Sequence, residues 1–112
     1  MSQVLAYGVP IPPGKTEALL EHLEEAKQRE DLSQTFRGFG ITRETWHLQE
    51  TPQGDVLVLV FEAEDPLRML AEFSQSQADL PVWQRQCLKE ILGVDLSDPP
   101  PGPPSKLVFD WP

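Results

Sequence analysis

At 112 residues, with 39% hydrophobic and 24% charged side chains, the chain has the size and make-up of one folded domain with one core. The 18 acids against 9 bases leave a formal charge of −9, which argues against a nucleic-acid backbone or an anionic membrane as partner, since both select for clustered Lys and Arg. The one cysteine, Cys87, excludes an intrachain disulfide; with no signal-peptide pattern at the start and no run of about 20 apolar residues, the expected location is cytoplasmic.

Residues 3–11, Gln-Val-Leu-Ala-Tyr-Gly-Val-Pro-Ile, read as a first strand, apolar at nearly every position and ended by Pro10. Pro12-Pro13-Gly14-Lys15-Thr16 is a strand-to-helix turn in which a proline presets the first helical φ. The spacing predicts a helix from about Thr16 to Asp31, with Leu19, Leu20, Leu23 and Ala26 on one stripe and acids gathered at its front. Leu32 to Gly38 reads as a linker closing on the turn Arg37-Gly38-Phe39-Gly40. A second strand is expected at about 39–50, a hairpin turn at 51–55, and a third strand at 56–61, Val-Leu-Val-Leu-Val-Phe. Asp65-Pro66 supplies an N-cap and first-turn pair for a helix carrying Leu67, Leu70 and Phe73. After a polar break at 74–78, a third helical segment is expected from about Leu80 to Leu92, with Trp83, Cys87, Leu88 and Ile91 on one face and Gly93 closing it. The proline-rich run 97–105 must be extended, yet it leads into the apolar Lys106–Trp111, read as a fourth strand or as an arm laid across a partner subunit.

This order predicts an α+β fold: a ferredoxin-like βαββαβ domain over residues 1–96, its antiparallel sheet covered by helices on one face, and an arm over 97–112 packing on the same domain or the partner subunit. A sheet of that kind should alternate apolar and polar residues, because its second face is wet. The third strand does not: Val56, Val58 and Val60 point one way, Leu57, Leu59 and Phe61 the other. In the first strand Leu5, Tyr7 and Val9 oppose Val4, Ala6 and Gly8, again with no polar face. Exposing such a set forfeits roughly 1.5–3 kcal/mol per large side chain, so the expected working state is a homodimer packed sheet to sheet. The alternative is that the tail covers the second face within one chain.

Pro13-Gly14-Lys15-Thr16-Glu17 opening the first helix, and Val56–Phe61 running into Glu62-Ala63-Glu64-Asp65-Pro66, carry a resemblance to a known superfamily. The chain resembles the dimeric α+β barrel proteins, which include antibiotic-biosynthesis-type and haem-degrading monooxygenases and stress-response barrel proteins. The segment from Trp83 through Gly93-Val94-Asp95-Leu96, with the Pro-Pro-Pro-Gly-Pro tail and Phe109-Asp110-Trp111, is similar to a smaller set of uncharacterised bacterial proteins within it. The resemblance implies a fold and a dimer, and no particular reaction.

Among candidate site residues, His47 stands first: with Arg43 and Thr45 on its face and Trp46 beside it, it suits binding of an anionic or aromatic molecule, or proton transfer. The plain alternative is a solvated face, since Arg43, Thr45, His47 and Gln49 form one polar run. Tyr7, Trp46, Trp83 and Phe73 are candidates for lining a pocket for a planar ligand, and equally for core anchors. His22 has no metal-ligand partner at fixed spacing, and Cys87 reads as a small core residue. With no Gly-rich phosphate loop, Ser nucleophile elbow or metal-spaced Cys/His set, neither cofactor nor metal is expected.

Three functions stay open at this level. One is a homodimer that binds a small apolar or aromatic molecule between sheet and helices. The second is a cofactor-independent monooxygenase-like enzyme in which His47 with Arg43 or Tyr7 orients substrate and moves a proton. The third is a structural or interaction protein that grips a partner with its proline-rich arm.

Overall fold

The computed structural model describes residues 2–97 and 104–112. Its elements follow as β1 (Gln3–Pro10), α1 (Thr16–Lys27), α2 (Leu32–Gly38), β2 (Ile41–Thr51), β3 (Gly54–Ala63), α3 (Pro66–Gln75) and α4 (Asp79–Leu92). The three strands form one antiparallel sheet in the order β1-β3-β2. The apolar β3 is thus central, while β1, which reads as equally without a polar face, stands at an edge among the described residues and not in the centre. The chain is an α+β protein with a three-stranded sheet and four helices among the described residues.

Burial assigns the two faces of the sheet. Leu57, Leu59, Phe61 and Ala63 of β3 are buried, while Val56, Val58 and Val60 between them stay half-exposed. The register sets Leu5, Tyr7 and Val9 of β1 beside Phe61, Leu59 and Leu57, so these make up the inner face. Helix residues close over it: Leu19 from α1, Met69 from α3, and Leu88 and Leu92 from α4 join one buried cluster with the strand leucines, and Phe36 of α2 packs against it.

The local chemistry explains the element ends. Asp65 caps α3, its Oδ1 accepting from the Arg68 amide at 3.1 Å, with Pro66 in the first turn where no amide is needed. Arg85 reaches back from α4 to the Phe73 and Ser76 carbonyls at 2.7 and 2.8 Å, holding the end of α3 against α4. Gly93 closes α4 in the left-handed region at φ 71°, where a side chain would be strained. At the hairpin, Gly54 takes φ 124°, and Thr51 Oγ1 donates to its carbonyl at 2.6 Å.

Three expectations are corrected. The segment Leu32–Gly38 is a short helix rather than a linker: the Thr35 amide donates to the Asp31 carbonyl at 3.0 Å, and the turn so formed turns Phe36 toward the core. On α4 the buried stripe is Leu80, Gln84, Leu88 and Leu92, with Trp83, Cys87 and Ile91 half-buried beside it, so the helix is rotated from the face expected. The run Lys106–Trp111 forms no strand among the described residues, and Leu107, Val108, Phe109 and Trp111 are exposed. Of the proline-rich run, residues 98–103 lie outside the described residues.

Candidate functional site

The site begins with one extra residue in β2. Ile41 pairs with Ala63 but Arg43 pairs with Glu62, so the ladder carries a bulge at this point. Without it, Ile41 and Glu44 would point to opposite faces; with it, both point inward. Beyond the bulge the alternation is regular: Glu44 stands opposite Phe61 and Trp46 opposite Leu59, on the inner face. A single carboxyl is thereby carried into an otherwise apolar surface.

Glu44 is held by its neighbour on the same face. The Trp46 indole Nε1 donates to Glu44 Oε2 at 2.6 Å. Burial pushes this carboxyl up to about 7, and the Trp46 hydrogen bond only partly offsets it. Across the sheet, burial and then the nearby Glu44 charge push the Tyr7 hydroxyl up to about 12. The second polar intrusion is on α4, where the buried Gln84 accepts from His22 Nε2 at 2.6 Å. His22 is itself 5% exposed, and its ring packs on Trp83 at 4.5 Å between centroids. The Arg29 guanidinium lies over the Trp83 ring at 4.8 Å.

Glu44, Trp46, Gln84 and Phe36 stand between two spaces. On the inner side they bound a cavity of about 50 Å³, which Tyr7 and Phe73 also line. That volume suits ordered water and not a ligand. On the outer side they form the floor of a cleft of about 630 Å³, walled by Leu20, Leu23, Leu32 and Phe36 from α1 and α2. Leu20, 45% exposed, therefore lines a cleft instead of filling the core. A second cleft, of about 650 Å³, lies between the Pro10–Gly14 turn and the hairpin. Its one acid, Asp55, is already engaged by Thr16 Oγ1 at 2.6 Å, which makes it a structural tie between α1 and the hairpin.

The residues singled out from sequence are thus dispersed. Tyr7, Trp46 and Phe73 meet at the inner cavity, and Trp46 alone of them also reaches the ligand-sized cleft. Trp83 lines neither space and instead covers His22. His47 and Arg43 stand on the outer face, exposed, opposite Val58 and Glu62, with His47 Nε2 3.0 Å from Thr45 Oγ1. They do not share a site with Tyr7, which faces the other way. Glu44 and Gln84 were missed. The signal for Glu44 was the same alternation that grouped Arg43, Thr45 and His47, since it sends Glu44 and Trp46 to the opposite face. The signal for Gln84 was its position in the i, i+4 row Leu80, Gln84, Leu88. Cys87 is half-buried, and burial pushes its thiol up, away from a reactive thiolate.

Among the described residues no group of three or more His, Cys, Asp or Glu side chains is placed to hold a metal ion, and no helix is long and apolar enough to cross a membrane. No protein-family model matches the chain, and no curated protein or solved structure matches it.

Proposed function

We propose that the chain is a binding protein for a small apolar or aromatic molecule, which lies in the cleft between the inner sheet face and α1, α2 and α4. The observation that carries this is a cleft of about 630 Å³ whose apolar walls converge on the half-buried Glu44 carboxyl and the buried Gln84 amide. Small-molecule sites are typically of this size and make-up, with few polar groups to set orientation. Titration with 2-naphthol, read as quenching of tryptophan fluorescence, tests it. Saturable quenching is expected, lost in Ala26→Phe, which fills the cleft, and weakened in Trp46→Phe. Unchanged affinity in Ala26→Phe would place the ligand elsewhere.

The working state proposed is a homodimer packed through the outer sheet face, in the ferredoxin-like, dimeric α+β barrel arrangement. Supporting it are the strand order β1-β3-β2, the half-exposed Val56, Val58 and Val60, and the exposed Leu107, Val108, Phe109 and Trp111, which a partner subunit would cover. Sedimentation at micromolar concentration is expected to give twice the chain mass; a single-chain mass would overturn this state.

A second reading is favoured by one observation, the Glu44 carboxyl raised to about 7. Such a group both gives and takes a proton near neutrality, which suits general acid–base catalysis on the bound molecule. A cofactor-independent, monooxygenase-like reaction falls under this reading, with Glu44 and not the exposed His47 as proton carrier. Turnover surviving Glu44→Gln would rule that role out.

A further inference from the structure

The Glu44 carboxyl accepts one hydrogen bond, from Trp46, and none of the ion pairs among the described residues includes it. No basic side chain acts on it, so among the described residues its charged form has no counter-ion. The charged residues around the cleft are Glu21, Glu24, Glu44 and Lys27. Lys27 Nζ is drawn to Glu24 Oε1 at 2.9 Å, which leaves Glu21 and Glu44 uncompensated. The cleft is therefore apolar along its walls, with an acid at its floor and an excess of acids at its rim. An anionic ligand would add repulsion there, and a neutral one would gain no more than a hydrogen bond from the acid. A cation placed on Glu44 would also lie beside the electron-rich indole of Trp46.

Resting on the binding role proposed above, we infer that the natural ligand is a small lipophilic amine, its ammonium group on Glu44 and Trp46 and its apolar body along Leu20, Leu23 and Phe36. Binding is then linked to protons: a cation stabilises the Glu44 carboxylate, so below neutrality the carboxyl gives up its proton as the amine enters. The other titratable groups facing the site are Tyr7 from β1 and Glu21, Glu24, Lys27 and His22 from α1.

Calorimetric titration with octylamine, 1-octanol and octanoate separates this inference from the broader one. Octylamine is expected to bind at least tenfold more tightly than 1-octanol, and octanoate more weakly than either. Glu44→Gln should erase the difference between octylamine and 1-octanol. At pH 6, titrations in buffers of different ionisation enthalpy should show proton release on binding octylamine to the wild-type chain, and none with 1-octanol. Equal affinity for amine and alcohol would overturn the amine assignment and leave apolar binding standing, whereas no binding of any of the three would end both. Proton release that persists in Glu44→Gln would shift the linkage to another group and overturn the assignment to Glu44.

Discussion

The two faces of one short sheet show how the same strands produce opposite chemistry. On the inner face, Leu57, Leu59 and Phe61 are closed off by helices, and the one acid among them, Glu44, is pushed up to about 7. On the outer face, Val56, Val58 and Val60 are half-exposed beside a fringe of Arg43, Thr45, His47 and Gln49. Polar groups are frequent on the outer face and cost little there, because water reaches them. On the inner side, besides the Tyr7 hydroxyl, the polar intrusions are Glu44 from β2 and Gln84 from α4, and each of these is tied to a partner. Function is better sought where a polar group is rare and costly to place than where polar groups are common.

Four measurements would break or sharpen that contrast. Leu59→Ala, at a 5% exposed inner-face position, should lose about 2–5 kcal/mol in denaturant unfolding, while Val58→Ala, its neighbour on the other face, should lose much less from the isolated chain. Equal losses would mean that both faces are buried, as in a tight dimer. Glu44 should next show itself in the pH dependence of stability. Its folded value of about 7 lies above the ordinary 4.5, so between these pH values the unfolded chain ionises while the folded chain keeps the proton. Stability should therefore fall as pH rises through this window, by on the order of 3 kcal/mol, and level off above it. Glu44→Gln should remove that slope. Gln84→Ala leaves the buried His22 ring nitrogen without its acceptor and should cost about 1–3 kcal/mol in denaturant unfolding. Last, His47→Ala should change stability by no more than about 0.5 kcal/mol and leave binding in the cleft as it was.

The strands were legible because their apolar runs are long and their turns carry Pro, Gly and Asp; having no polar face did not separate the central β3 from β1, which lies at an edge among the described residues. The helix at Leu32–Gly38 was not legible, since seven residues give less than two helical turns in which a periodicity could show. The tail misled for the opposite reason: Leu-Val-Phe has strong strand character, but a strand also needs a neighbour, and pairing is a tertiary fact. For the site, alternation along β2 correctly grouped Arg43 with His47, yet which face lay inward depended on the bulge after Ile41. A one-residue slip exchanges the faces of a strand, and nothing local to Ile41-Thr42-Arg43 announces it. The apolar Ile41 and the charged Glu44 were therefore not expected on one side.

The hairpin of β2 and β3 also bears on the order in which the molecule assembles. Its strands are joined across Pro52-Gln53, and Thr51 pairs with Gly54, so each successive rung closes only a small additional loop. β1 joins the same central strand from far away, Pro10 meeting Val56 and Gln3 meeting Ala63, and must surrender much more chain entropy to do so. Folding should accordingly nucleate in the hairpin and add β1 late. Substitutions at Leu48 or Val56 would slow folding, while those at Val4 or Leu5 would chiefly speed unfolding. The open edge of β1 would then be the last part of the sheet to form and the first to separate.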